Sequence, residues 1–475
     1  MVQKSKPRKW MLRLGALAIC GMAGLTYTSL RTHVPLNSFE PLEPALAEEK
    51  APSRREFSPQ ELYHRAWGII KDSYFDQKFG ALLAASNGQD WNRWDHKYDG
   101  KLKNQEDAEK AIETMLASLG DPYTRFLNAE NFGDEKLQIQ AKLFGVGMQL
   151  GMNKEHKVVV IAPIDNTPAS KAGMHSGDEI VEVDSKPVKG QSLDQVVKQI
   201  RGERNTKVSI TYMRGTKKDV VALVRDEIPI KSVVACQMLP GDIGYIRLDS
   251  FISQKANDEM KKAIGELREK NDKHGPAKAL ILDLRNNPGG LLANAIDIAN
   301  MFLDKGVIVS TIDADGYKTS QLATRSSFKT DLPAVLLINK GSASASEILS
   351  GALRDNQRAK LVGQTSFGKG LVQAINNLGN GTGVNVTIAR YLTPNDTDIH
   401  RTGIVPDYDV KLSDDDFNAG KGPWWIDPTM TNFKRSAADG KDIQLSKAID
   451  VIKQMLSGTN QPTVASSTET TPKKD

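Results

Sequence analysis

Three serines stand at alternate positions in "INKGSASASEILSGAL", residues 338–353, where an apolar strand-like run gives way to a helix-like one. A serine at such a turn lies with its hydroxyl on the edge of a layer, beside the unpaired amides of a helix start. The chemistry this permits is nucleophilic attack on an acyl group. A competing reading is a helix N-cap, a job that Ser346 fits. Ser342, Ser344 and Ser346 are all candidates at this point, and a nucleophile among them needs a base.

Of the seven histidines, only His274 and His400 fall in the same part of the chain, and neither follows a strand-like run. There is no G-x-S-x-G, no H-E-x-x-H and no cysteine–histidine cluster for zinc, so no metal or cofactor is expected. A lysine can replace histidine as the base. The candidate is Lys369 in "GQTSFGKGLVQ", 363–373, flanked by glycines and apolar residues with no acid nearby. An ordinary lysine, pKa about 10.4, must lose roughly three units to act near neutrality, which burial away from carboxylates supplies. The alternative is a loop lysine in solvent. The tetrahedral intermediate further needs amides aimed at its oxygen. "LRNNPGGLL", 284–292, is a turn whose Gly289 and Gly290 can expose N–H groups, although Pro-Gly-Gly also serves simply as a tight turn.

These residues need elements to position them. At 475 residues, 39% hydrophobic and 25% charged, the chain suits two or three globular domains. A net charge of +5 argues against a nucleic-acid partner or a membrane-coating surface. The start carries Lys4, Lys6, Arg8 and Lys9 before an apolar run from Met11 to about Tyr27, the pattern of an export segment over 1–30, either cleaved or kept as an anchor. Lipidation at Cys20 is a lesser option, because Ile19 is bulky where a small residue is needed. Membrane contact is expected only through this segment. Cys236 is the one cysteine beyond it, so no internal disulfide is expected.

A proline-punctuated linker over 31–56 precedes "FSPQEL", where Ser58 caps a helix, Pro59 takes its first position and Glu61 closes the capping box. A second helix starts near Gln105, with Ala108, Ile112 and Met115 on one face, completing a helical region over 57–133. Short β-rich runs with one helix, "SLDQVVKQI", then make a compact module over 134–228. From 229 to 455 strands alternate with helices, the mark of a βα-layered domain. The tail, 456–475, is polar and expected to be disordered.

The set "LGDPYTRFL", "FGVGMQL", "AGMHSGDEIVEVDSKPV", "LDLRNNPGGLL", "INKGSASASEILSGAL", "GQTSFGKGLVQ" and "GIVPDYDV" resembles the carboxy-terminal processing, or tail-specific, proteases. The resemblance runs in the family's order from about Glu61 to Ile452. It implies a multidomain α+β fold: the helical region, a PDZ domain as the β-module, and a crotonase-like βα core. It also implies a Ser-Lys endopeptidase in which Ser344 is the nucleophile, Lys369 its base and Gln373 the residue orienting the lysine. The oxyanion hole would be the amides of Gly290 and Ala345. Gly145, Val146, Gly147 and Met148 would form the turn that binds a substrate's terminal carboxylate, with the next strand pairing to the peptide. Expected partners are proteins or peptides with apolar C-termini, with an adaptor or activator as a further option. The expected place is the periplasm, cell envelope or thylakoid lumen. One departure stands in "IRGERNTKV": Arg204-Asn205 replaces a common Lys-Gly, so the turn after the module's helix is expected to differ. Two other readings remain: a non-catalytic PDZ scaffold, against which both Ser344 and Lys369 are present, and a crotonase-type acyl-CoA enzyme, which has no use for an export segment or a PDZ module.

Overall fold

The computed structural model describes residues 56–75, 91–140, 142–153, 155–164, 166–229, 231–269, 275–425 and 436–458. The export segment, most of the linker and nearly all of the polar tail lie outside them. Among the described residues no helix is long and apolar enough to cross a membrane. The chain divides into two compact units.

The first unit comprises the described residues up to Gly133 with 313–316 and 372–389. Its helix Pro59–Ser73 starts as its sequence requires: Ser58 and Glu61 form a capping box, with proline at the first position. Leu62, Tyr63, Ala66 and Ile70, one face of that helix, are fully or almost fully buried against Ala108, Ile112 and Met115 of helix Gln105–Ala117. The core is completed by Leu378, Val384 and Val386 of a strand pair, one of whose strands, Thr382–Leu392, pairs antiparallel with Arg125–Leu127. Thus 372–389, which sequence order places in the βα section, belongs to the helical unit's core.

The second unit holds the β-module and the βα layers. The module's sheet runs Met148–Met152, Val158–Pro163, Glu179–Val183, Lys207–Arg214, Lys217–Val224. Helix Leu193–Ile200 opens with a Ser192–Gln195 capping box and contributes Val196 and Ile200 to the apolar core beneath. Asn205 takes a left-handed φ of 67°, a conformation asparagine tolerates and glycine also adopts. The substitution at Arg204-Asn205 therefore keeps a turn of the kind glycine permits. Where the chain enters and leaves the module, Lys142–Gly145 and Asp226–Pro229 pair antiparallel.

The βα layer has six strands, in the order Val233–Leu239, Ile243–Leu248, Ala279–Asp283, Ala334–Ile338, Ala359–Gly363, Tyr408–Asp409. All pairings but the first are parallel. The runs "ALILD" and "AVLLI" are buried at every position, as strands covered on both faces must be. Helix Ile443–Leu456 covers one face through Leu445, Ala448, Val451 and Ile452. Strands Ala279–Asp283, Ala334–Ile338 and Ala359–Gly363 are neighbours, and their C-terminal ends lead into the "LRNNPGGLL", "NKGSASAS" and "QTSFGKG" segments respectively. Three segments far apart in sequence therefore emerge on one edge, the end of a parallel sheet where sites form.

Below that edge lies a buried charge cluster. Arg285 is fully buried and donates to Asp283 at 2.6 Å and to Asp442 at 2.8 Å, with Gln444 accepting at 3.2 Å. Asp442 also caps helix Ile443–Leu456 by accepting from Leu445 N–H. Burial pushes the Asp283 carboxyl upward, but the Arg285 guanidinium outweighs it and holds the acid below its usual range. Replacing Arg285 with Met would leave two buried carboxylates without their cation. We expect a loss of about 3–5 kcal/mol, read from denaturant unfolding. Because the folded Asp283 pKa is depressed, its contribution is present above about pH 4 and lost as pH falls further. An acid unfolding titration of the full chain checks this.

Candidate active site

The turn 339–344 is built by its own serines. Ser342 Oγ donates to Leu284 C=O at 2.8 Å and Ser346 Oγ to Asn287 C=O at 2.9 Å, tying it to the neighbouring glycine turn. Both residues are buried, whereas Ser344 is partly accessible. The helix Ala345–Asp355 has Ser344, not Ser346, as its N-cap. The reason is geometric: Ser346 already lies in the first turn, its side chain turned inward to Asn287. Ser344 adopts φ 54° and ψ −114°, strained for any residue with a Cβ. Such strain marks a serine set on a sharp strand-to-helix turn.

Glu347, 1% exposed, holds this turn. Its Oε2 accepts from Ser344 N–H at 2.8 Å and from Lys369 N–H at 2.9 Å; its Oε1 accepts from Gly368 N–H at 2.7 Å and Ser366 Oγ at 2.5 Å. One buried carboxylate oxygen thus bridges the backbones of Ser344 and Lys369. Ser366 Oγ in turn accepts from Ile404 N–H at 2.7 Å, and Phe367 N–H donates to Ser342 C=O at 2.9 Å. Lys369 is partly buried. Glu347 was not among the residues singled out from sequence. The available signal was S-x-x-E beginning at Ser344, which reads as a capping box.

The glycine turn packs directly on the serine turn. A Cβ on Gly289 would come within 2.6 Å of Ala343 O and 2.9 Å of both Ala345 N and Ser344 Cβ, and φ there is +99°. A Cβ on Gly290 would strike the backbone of Phe251 and Ile252 at 2.3 Å. Only glycine fits at either position. The two are not equivalent, however: Gly289 N–H is held by Asn287 Oδ1 at 2.9 Å, so the turn does not present both amides. Gly290 N–H has no partner among the described residues, nor does the amide of Ala345, the first residue of its helix. Both amides are therefore free of a partner among the described residues, and that of Ala345 directly follows Ser344 in the chain.

Gln373 lies on strand Leu371–Gly379 in the first unit, and its Nε2 is buried without a hydrogen-bond partner among the described residues. In the module, Gly145 ends one strand and Met148 begins the next. Val146 C=O accepts from Ala169 N–H at 2.8 Å, and Gly147 C=O from Ile164 N–H at 2.9 Å and Thr167 Oγ1 at 2.9 Å. With these carbonyls turned inward, trans peptides point the amides of Gly147 and Met148 the opposite way. A Cβ on Gly147, φ +77°, would lie 2.2 Å from Thr167 Cβ, so glycine is required. Strand Met148–Met152 is the sheet's edge, with Met148, Leu150 and Met152 partly buried against the module's core, as is Leu193 of helix Leu193–Ile200. Among the described residues no group of three or more His, Cys, Asp or Glu is arranged to hold a metal.

Two family profiles match: peptidase family S41 over residues 242–410 and a PDZ domain over 144–223. A carboxyl-terminal-processing protease of Synechocystis sp. is 41% identical over 73% of this chain and 80% of its own. The carboxy-terminal processing protease CtpA of Bacillus subtilis is 35% identical over 71% and 70%. Among solved structures, a photosystem II D1 C-terminal processing protease matches with a TM-score of 0.50 and 33% identity, covering 75% of this chain and 94% of that one.

Replacing Glu347 with Gln would keep the volume but turn an NH₂ toward N–H donors. Hydrogen bonds to a charged group are worth about 1.5–3 kcal/mol each. We expect Glu347→Gln to slow labelling of Ser344 by a fluorophosphonate probe at least about a hundredfold, measured by mass spectrometry of the labelled peptide.

Proposed function

The chain belongs to the carboxyl-terminal-processing proteases of peptidase family S41, serine-type peptidases carrying a PDZ domain, and on that premise we propose that it cuts through a Ser344–Lys369 dyad after reading an apolar C-terminal tail. The observation that carries the reading is the Glu347 carboxylate, one oxygen of which accepts from the backbone N–H groups of both Ser344 and Lys369. Unprotonated Lys369 removes the Ser344 hydroxyl proton as Oγ attacks the scissile carbonyl. The oxyanion that forms is met by the N–H groups of Gly290 and Ala345. Lys369 then gives its proton to the leaving amine, and water, activated by the same lysine, releases the acyl group from Ser344. Gln373 is assigned to orient the lysine.

The PDZ domain supplies selection. Amides of the turn 145–148 take the terminal carboxylate, the free edge of Met148–Met152 pairs with the peptide backbone, and the partly buried apolar side chains of Met148, Leu150, Met152 and Leu193 favour an apolar tail. Substrates are exported proteins cut near their C-termini. The basic-then-apolar start of the chain supports action in a periplasm, cell envelope or thylakoid lumen, with an adaptor or activator as a further partner.

The testing experiment is cleavage of unfolded proteins differing only in their last three residues, by the full chain and by Ser344→Ala. Apolar tails should be cut and polar tails spared, with the variant inert; cutting that ignores the tail removes the PDZ role. Lys369→Arg should be as inactive as Lys369→Ala, since a guanidinium stays protonated near neutrality. Turnover should survive EDTA; loss that zinc restores would overturn a dyad acting without metal.

A further inference from the structure

Tyr391 is 1% exposed near the end of strand Thr382–Leu392. A phenol in such a place costs desolvation that phenylalanine of the same shape would avoid, unless the hydroxyl has work to do. Its hydroxyl donates to Ser344 C=O at 3.2 Å. Its backbone N–H donates to Gly370 C=O at 2.9 Å, next to Lys369. Burial, then the charges of Glu347 and Asp398, raise the phenol far above its usual range, so it stays a donor.

The Ser344 carbonyl does not need this hydroxyl for satisfaction, because it already accepts from Glu347 N–H at 2.8 Å and Ile348 N–H at 2.9 Å. What a third donor adds lies at the other end of the same peptide. The C=O of Ser344 and the N–H of Ala345 form one planar trans unit, so holding the oxygen fixes the direction of the N–H. Charge drawn toward the oxygen also makes that N–H a stronger donor. We propose that Tyr391 is a positioning residue that aims and polarises the Ala345 amide of the oxyanion hole. This rests on the assignment of Ser344 as nucleophile and Ala345 as an oxyanion donor. Glu347 and Tyr391 then divide the work: the acid holds amides of Ser344 and Lys369, and the tyrosine holds carbonyls of Ser344 and Gly370.

Tyr391→Phe leaves no buried acceptor unpaired, so the fold is retained and thermal unfolding should match the parent. Deleting a whole oxyanion donor typically costs about 10²–10³ in kcat, so weakening one should cost about tenfold, with KM unchanged. The decisive comparison is a peptide aldehyde, which forms a tetrahedral adduct on serine, against the corresponding alcohol, which does not. In Tyr391→Phe the aldehyde should bind about tenfold more weakly and the alcohol equally well. Parental kcat and aldehyde affinity, or equal loss for aldehyde and alcohol, would overturn the role. A parent chain in which the aldehyde gains nothing over the alcohol and Ser344 takes no fluorophosphonate would instead overturn the dyad itself, and this inference with it.

Discussion

Everything at the proposed catalytic edge depends on one buried carboxylate. Glu347 cannot be solvated, so it must find donors, and it finds them in the N–H groups of Ser344, Gly368 and Lys369 and the hydroxyl of Ser366. Its demand for four hydrogen bonds brings together two loops that leave different strands of the sheet. Against that attraction stands the cost of the Ser344 backbone, of order 1–3 kcal/mol for a residue in so sparse a region. Charge-assisted bonds are about twice as strong as neutral ones, enough to hold the strained turn.

The sheet explains why a local clamp suffices. Three neighbouring parallel strands end at the same level and deliver the glycine turn, the serine turn and the lysine loop side by side. The Arg285 cluster fixes the first of these from below, since Arg285 lies between the end of its strand and the Pro-Gly-Gly turn. The last helix is tied into the same cluster through its cap, Asp442. Residues far apart in sequence, Asp283, Arg285 and Asp442, are therefore locked together beneath the glycine turn.

Much of this was legible in the sequence because it is local. Ser58, Pro59 and Glu61 announce a helix start whatever surrounds them, and fully apolar runs such as "ALILD" announce buried strands. The strand-to-helix turn carrying three serines was visible for the same reason. Which serine caps the helix was not, because Ser346 turns inward to Asn287, fifty-nine residues away in sequence. Glu347 could be read only as half of a capping box, since its other partners at 366–369 arrive by a chain crossover that no local pattern encodes. Nothing in the residues around Tyr391 points to Ser344, because the two meet only through the fold. The loss of Gly289 as an amide donor depends on the orientation of the Asn287 side chain, a choice of rotamer rather than of residue type.

The short antiparallel pairing of Lys142–Gly145 with Asp226–Pro229 has a consequence for how such a chain changes over time. Adjacent strands lie about 4.8 Å apart, so the eighty-odd residues between them leave and return at nearly one point. To the βα layers the PDZ domain is an insertion in a hairpin. Its exchange for another peptide reader, or its shrinkage to a turn, would disturb no strand of the catalytic sheet. On the proposed function, selectivity and chemistry are then inherited as separable parts, and drift in what is recognised leaves the proposed bond-cutting edge untouched.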